Sequence, residues 1–205
     1  REILEFYDIH WPRGKDGRIL YFPLSAIEAI QYGTNPMPDI AGLHAILPRL
    51  IASCPDEQQK ATWRKMLADL PPLPVGGKPG AQCLLPAENG RRHSPHENPE
   101  LYAVFPYNLF GGGKPNLDWA VNAWKRRVDR KNGGWEQNSI QAAMLGLAAE
   151  AKSLVVGNYR RHAGGFRFPA MWGPNFDWIP DQDHGTVPMI ALQKICLQTD
   201  GDRIL

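Results

Sequence analysis

The sequence predicts a mainly α-helical protein whose helices pair as hairpins joined by long loops. Apolar residues recur at helical spacing in several segments, whereas alternating strand patterns are few. The chain also holds 19 prolines, 20 glycines and seven tryptophans, which favours shaped loops between helices over a plain bundle. At 205 residues it is long enough for one domain with a sizeable core.

Two helices are predicted in the first half of the chain. Residues 36–53 place aliphatic side chains on one helical face, and Pro48 is expected to kink or break that helix. The face consists of Ile40, Leu43, Leu47, Leu50 and Ile51. Residues 56–70 predict a second helix with Asp56 as its N-cap. Its apolar residues are Trp63, Met66, Leu67 and Leu70. The following "LPPLPVGGKPG" predicts a loop. Residues 81–113 are mixed, with "HSPHENPELY" and "FGGG" as irregular segments.

Three further helices are predicted in the second half. One begins at Asn116, carries Leu117, Val121, Trp124 and Val128 on one face, and ends at "KNGG". The next carries Ile140, Ala143, Met144 and Leu147, and would form an αα-hairpin with the first. After a long loop, a last helix is predicted from about Thr186 to Gln198, apolar nearly all round and therefore buried on several sides. Strands are predicted only at "RILYFPL" and "FRFPA".

Charge and hydropathy argue against nucleic-acid and membrane proteins. The net charge is only +2 and the basic residues are scattered, so a nucleic-acid partner is not expected. The apolar runs are too short to cross a bilayer, so no membrane span is expected.

No metal or cofactor site is predicted. The three cysteines lie far apart without zinc spacing and are interpreted as buried or free thiols. They are Cys54, Cys83 and Cys196. His93 and His96 have a metal-like spacing on a helix, but Pro95 argues against a helix there. "GGGKP" lacks the ending of a phosphate-binding loop, so no nucleotide is expected either.

The run "NFDWIPDQDHG" concentrates carboxylates and aromatic rings before the last predicted helix. Asp183 would lie where the helix N–H groups and dipole favour an anion, although an ordinary N-cap explains it equally well. Asp177 and Asp181 precede it, and Trp172 and Trp178 lie nearby. Aromatic faces beside carboxylates and amides suit sugars, whose C–H faces pack on rings while their hydroxyls form hydrogen bonds.

Glu28 is the candidate for a second carboxyl group. Glycoside hydrolysis needs one carboxyl to protonate the leaving oxygen and another to activate water. Glu28 lies among apolar residues in "FPLSAIEAIQYGTNP", where burial would raise its pKa and suit it to the acid role. The alternative is an exposed glutamate on a helix.

Four segments, in this order, resemble the inverting α-L-fucosidase-type family of six-hairpin, (α/α)6-toroid glycosidases. "PLSAIE" resembles its Pro-Ser-x-Ser-x-Glu stretch, and "ENPELYAVFP" resembles its "HLSHLYGLYP", with Glu97 and Glu100 where the family has His. "GGWEQNSIQAAMLGL" resembles "TGWSRAWKINLWARL", with Trp135 kept and Gln137 in place of Arg. "DHGTVPMIALQKICLQTDGDRIL" resembles "DGNFGGTAGIAEMLLQSHEGEIHLLP", which aligns Asp183 with the family's catalytic Asp.

The resemblance implies an inverting hydrolase of an oligo- or polysaccharide, with Glu28 as acid and Asp183 as base. The predicted sugar contacts are Asn35, Trp135, Trp172, Gln182 and His184, and Asp181 would orient His184 or bind a hydroxyl. Because the family's His and Arg are replaced, fucose specificity is not implied.

The resemblance also implies that residues 1–205 are the C-terminal portion of an (α/α)6 catalytic domain. A strand-rich domain and the first hairpins would precede them, and a β-domain would follow. Half a toroid would expose apolar hairpin faces, so the expected partners, besides the carbohydrate substrate, are the missing part of the chain or another copy. A secreted or periplasmic location is expected.

Other function classes remain open at this point. The same helical toroid accommodates a non-catalytic carbohydrate-binding or structural domain. A related toroid would suit a phosphorylase, which needs a cationic phosphate pocket near Asp183, or a lyase, which needs a Tyr or His base. A helical interaction module would lack a cleft lined by Trp135 and Trp172. Fold likeness alone does not decide among these classes.

Overall fold

The computed structural model describes residues 1–20, 29–92, 97–133, 136–160 and 183–205. About half of the described residues are helical and the strands are short, which confirms the prediction of a mainly α protein. The toroid stays a prediction. The chain divides into two compact units, Arg1–Leu109 and Phe110–Leu205.

Three helices form the core of the first unit. They are α1 (Glu2–His10), α2 (Met37–Ser53) and α3 (Glu57–Ala68). The predicted faces of α2 and α3 do pack together, and α1, which the sequence did not reveal, adds Leu4. The buried cluster comprises Leu4, Ile19, Ile40, Leu43, Leu47, Trp63, Met66 and Leu70. Pro48 does not end α2, which continues to Ser53. Pro38 lies at the start of α2, where a missing N–H costs nothing.

The N-cap of α3 is the predicted one. The Asp56 carboxylate accepts hydrogen bonds from the backbone N–H groups of Gln58 and Gln59, at 2.9 and 3.2 Å. Two of the N–H groups that a helix start leaves unpaired are thereby satisfied.

Replacing Asp56 with alanine is therefore expected to lower the free energy of unfolding by about 1 kcal/mol. Asp56→Asn is the matched control, since an amide oxygen accepts the same bonds and should retain most of the stability. Urea unfolding followed by circular dichroism measures both variants. Equal losses in the two variants would show that the side-chain cap contributes nothing.

A two-stranded antiparallel ribbon interrupts the helices of the first unit. β1 (Ile30–Pro36) pairs with β4 (Ala87–Arg92), while β2 (Val75–Gly76) pairs with β3 (Cys83–Leu84). Sequence reasoning described the region of β4 only as mixed and predicted no strand there. The strands cross so closely that a Cβ on Gly90 would lie 2.9 Å from the Cα of Gly33. A short 3₁₀ turn, Pro99–Leu101, contacts α2.

The second unit consists of α4 (Leu117–Arg126), α5 (Asn138–Met144), α6 (Ala148–Arg160) and α7 (Asp183–Cys196), with a hairpin of β5 (Thr199–Asp200) and β6 (Arg203–Ile204). The predicted hairpin of α4 with α5 was wrong, because the mutually packed helices are α5, α6 and α7. Gly146, at φ 74°, turns the chain between α5 and α6, so Leu147 is not helical. Val128 likewise lies beyond the end of α4.

α7 begins one turn earlier than predicted, at Asp183 rather than near Thr186. Pro188 lies inside it without ending it. The helix buries Val187 and Ala191 but exposes Met189 and Leu192, so the expectation of burial on several sides is wrong for the described unit. All three cysteines are free thiols. Within the described ranges, no helix has the length and apolarity needed to span a bilayer.

Candidate functional site

Two predicted site residues can be placed by their side chains, namely Asp183 and Asn35. Five of the other predicted site residues lie outside the described residues, namely Glu28, Trp135, Trp172, Asp181 and Gln182. His93 and His96 also lie outside them. His184 lies in the first turn of α7, and its side chain is outside the description. The pairing of Glu28 with Asp183 therefore stays a prediction.

Asp183 is an exposed carboxylate in the first turn of α7. It is the first helical residue rather than the residue before the helix, which corrects the predicted N-cap position. The position still places its charge at the positive end of the helix dipole, which stabilises a carboxylate by about 0.3–1 kcal/mol at an exposed site. An exposed carboxylate in this position suits a general base.

The ends of α5 and α7 lie close together. The Gln198 side-chain N–H, just after α7, donates to the Ala143 carbonyl near the end of α5 at 2.7 Å. A three-residue turn separates α5 from α6. The helices α5, α6 and α7 pack on one another.

Several polar side chains on α5 and α6 are buried. Asn158 near the end of α6 is 4% exposed, and Ser139 and Gln141 on α5 are also buried. Among the described residues, no hydrogen-bond partner reaches either amide atom of Asn158, the Ser139 hydroxyl or the Gln141 amide oxygen. Leaving a buried polar group without a partner costs about 1–3 kcal/mol, so such groups are normally satisfied by protein, water or ligand. These two helices therefore carry buried neutral hydrogen-bonding groups.

Arg127 is a half-buried cation that sequence reasoning did not single out. Its guanidinium carbon lies 3.3 Å from the centroid of the Trp124 ring, and its Nε donates to the Asn138 side-chain oxygen at 2.8 Å. Burial, followed by the nearby charge of Arg130, lowers the Arg127 pKa to about 10. Asn138 in turn donates to the Lys131 carbonyl at 2.8 Å, which fixes the loop that leads to Trp135. The sequence "WKRR" at residues 124–127 could have indicated this contact, because arginine often stacks on tryptophan.

In the first unit, Asn35 is buried and orients another carboxylate. Its amide nitrogen donates to the Glu88 side chain on β4 at 2.6 Å, and it is 4% exposed. Tyr32 and Asn35 both adopt positive φ, 54° and 47°, in β1, whose register shifts between Gln31 and Thr34. A non-glycine residue at positive φ is uncommon, although Asn adopts this conformation more readily than Tyr. Asn35 orients Glu88, which sequence reasoning overlooked, and its contact with a sugar stays a prediction.

Glu88 also borders a cavity of about 250 Å³ beside the ribbon. The lining is otherwise apolar or backbone, and comprises Ile30, Leu85, Pro86, Ala87, Glu88, Asn89 and Gly90. Such a concave, mostly apolar surface with one oriented carboxylate is typical of small-ligand sites. The first residue that lines this cavity, Ile30, follows Glu28 by two positions in the sequence.

Carboxylates and phenols alternate around the start of α2. The Tyr102 hydroxyl donates to Glu97 at 2.6 Å, and burial followed by this bond raises the Tyr102 pKa well above its usual range. The Tyr7 hydroxyl donates to Asp39 at 3.3 Å. Gly42 allows Tyr107 to pack on α2, since a Cβ there would lie 3.0 Å from the ring. Burial raises the Asp39 pKa, although the Tyr7 bond partly opposes it.

The raised Asp39 pKa predicts a pH dependence of stability. Because the folded state raises the pKa above the usual 3.8, ionisation is less favourable in the folded chain than in the unfolded chain. The contribution of Asp39 is thus most favourable below its unfolded pKa and is lost as the pH rises through the folded pKa. We expect Asp39→Asn to gain stability relative to the parent as the pH rises from about 4 to about 7.

Urea unfolding at stepped pH measures this difference. Tyr7→Phe is the companion variant, because removing the hydroxyl raises the Asp39 pKa further and should steepen the loss with pH. A stability difference between parent and Asp39→Asn that does not change with pH would contradict the prediction.

No protein-family model matches this chain, and no curated protein matches it either. Its function is therefore argued from its own residues and their geometry.

Proposed function

We propose that this chain is part of an inverting glycoside hydrolase, with Glu28 as the general acid and Asp183 as the general base. The observation that carries the proposal is the exposed Asp183 carboxylate in the first turn of α7, a helix that packs with α5 and α6, on which the Ser139 and Asn158 side chains are buried. The mainly helical fold supports the proposal further. So do the four sequence segments that resemble the six-hairpin glycosidases and occur in the same order.

The proposed reaction divides the work between the two carboxyls. Protonated Glu28 donates its proton to the glycosidic oxygen, so the leaving group departs as an alcohol. Ionised Asp183 takes a proton from water as that water attacks the anomeric carbon from the opposite face. The sugar product then has the inverted configuration. This chemistry requires the carboxyl groups to be roughly 6.5–9.5 Å apart.

The remaining residues bind and orient the sugar in this proposal. The rings of Trp135 and Trp172 supply apolar faces for the sugar C–H groups, and Gln182 and His184 bind hydroxyls. Asp181 orients His184 or binds a hydroxyl itself. In this proposal Arg127 does not contact the substrate. It holds the start of α5 in place through its hydrogen bond to Asn138. The Gln at position 137 and the Glu at positions 97 and 100 favour a sugar other than fucose.

A screen of aryl glycosides, followed by NMR of the first-formed anomer, tests the proposal. Hydrolysis with inverted configuration is expected, and Asp183→Asn should abolish it. Asp202→Asn is the matched control, since Asp202 is an exposed carboxylate in the β5–β6 hairpin and should be dispensable. Retention of configuration at the anomeric carbon would contradict the proposal that Glu28 and Asp183 act as the acid and base of an inverting enzyme. Sugar binding without turnover by any variant would favour the non-catalytic carbohydrate-binding domain.

A further inference from the structure

The cavity beside the ribbon of β1 and β4 is small and largely aliphatic. Its volume of about 250 Å³ lies just below the roughly 300–1,000 Å³ of typical small-molecule pockets. Since each water occupies about 30 Å³, the cavity has room for about eight waters or for one compact ligand. Four aliphatic residues contribute to the lining, namely Ile30, Leu85, Pro86 and Ala87. A ligand with an apolar body would therefore exchange contact with water for contact with these side chains.

Glu88 supplies the one charge among the described lining residues. Its Oε2 accepts a hydrogen bond from the Asn35 amide nitrogen at 2.6 Å. Asn35 is neutral, and no lysine or arginine whose side chain is described forms an ion pair with Glu88. Glu88 is exposed, so its Oε1 is accessible to a ligand. The cavity thus presents a negative charge that the described side chains leave uncompensated.

The ribbon holds this carboxylate in place before any ligand binds. Asn35 is 4% exposed and has φ 47°, a backbone conformation that asparagine tolerates better than most residues. Gly90 lines the cavity and lets β4 approach β1 closely, since a Cβ there would lie 2.9 Å from the Cα of Gly33. A binding group that is already oriented loses less conformational freedom when the ligand arrives, and this favours affinity.

We propose that the ribbon cavity binds a small organic ammonium ion, with its nitrogen on Glu88 and its hydrocarbon body against the aliphatic residues. A charge-assisted hydrogen bond from the ammonium to Oε1 would supply the missing positive charge. A guanidinium fits less well, because its bidentate pairing uses both carboxylate oxygens and Oε2 already accepts from Asn35.

A metal ion fits the cavity poorly. Ca²⁺ and Mg²⁺ take about six or more oxygen ligands, whereas the described lining supplies one carboxylate. In the described ranges, no group of three or more His, Cys, Asp or Glu side chains could hold a metal ion. The proposed ammonium site involves neither Glu28 nor Asp183, so it does not depend on the proposed hydrolase.

NMR titration of the whole chain with three ligands tests the proposal. Cyclohexylammonium, cyclohexanol and cyclohexanecarboxylate carry a cation, a neutral hydroxyl and an anion on the same ring. We expect cyclohexylammonium to bind about tenfold or more tightly than cyclohexanol, with an affinity that falls as salt is added. The carboxylate should not bind, because Glu88 repels it.

Two variants change the charge of the cavity. Glu88→Gln keeps the shape of the side chain without its charge. It should weaken binding of cyclohexylammonium about tenfold or more and leave binding of cyclohexanol nearly unchanged. Asn89→Lys adds a cation at an exposed lining position without removing either partner of the bond from Asn35 to Glu88, and it should weaken binding of the ammonium similarly.

The control variant is Glu2→Gln, which removes the same charge from an exposed position on α1 and should bind as the parent does. Equal affinities for the ammonium and the alcohol, or unchanged ammonium binding by both cavity variants, would overturn the proposal. Equal weakening by Glu2→Gln would also overturn it, since the effect would then come from net charge alone. Tighter binding of Nα-acetyl-lysine methylamide than of n-butylammonium would assign the cavity to a lysine side chain of another protein and would likewise overturn the proposal.

Discussion

Glu28→Gln is expected to lower kcat for an alkyl or sugar leaving group by roughly 10²–10⁴-fold, the usual contribution of a general acid. Glutamine has nearly the same shape but cannot donate the proton, so the glycosidic oxygen must leave as an alkoxide. A dinitrophenyl leaving group departs readily without protonation. We therefore expect that substrate to lose much less activity in the same variant.

Comparison with Asp183→Asn separates the two roles. The base acts on water, so its loss should affect every substrate regardless of the leaving group. Steady-state kinetics with a series of aryl glycosides of decreasing leaving-group pKa measures both variants. If Glu28→Gln lowered kcat equally across the series, Glu28 would not be the proton donor.

Leu47→Ala is expected to lower the free energy of unfolding of the first unit by about 2–5 kcal/mol. Leu47 is fully buried on α2, within the cluster that joins α1, α2 and α3. Truncation removes buried methyl groups and leaves a cavity that the three helices can close only in part. Urea unfolding followed by circular dichroism measures the loss.

Ile46 provides the matched control, since it precedes Leu47 on the same helix but is 45% exposed. Ile46→Ala makes a similar truncation at the surface and should cost less than about 1 kcal/mol. Equal losses in the two variants would mean that the cluster around Leu47 does not stabilise the unit.

The helices that sequence reasoning located correctly are those determined by local pattern. α2 and α3 follow from the spacing of Ile40, Leu43 and Leu47 and from the capping chemistry of Asp56, all within a few residues of one another. The turn at Gly146 was overlooked because the apolar period of α5 passes through it without interruption. The early start of α7 was missed because Asp183 reads equally well as a cap and as a first helical residue.

The features that escaped prediction depend on partners distant in the chain. β1 and β4 are separated by about fifty residues, and the bulge at Tyr32 and Asn35 has no alternating pattern to reveal it. The bond from Asn35 to Glu88 exists only because that ribbon forms. Of the candidate site, Asp183 stays a prediction from the sequence, whereas the contacts of Arg127 and Glu88 exist only in the packed structure.

The close crossing of Gly33 and Gly90 limits how this protein can diverge. Any larger residue at Gly90 would press on the backbone of Gly33 and force the two strands apart, which would carry Glu88 away from Asn35. A side chain at Gly33 would meet the Ile30 side chain instead, at 3.0 Å, and that side chain can shift. Relatives of this protein that keep the ribbon should therefore keep Gly90 more strictly than Gly33.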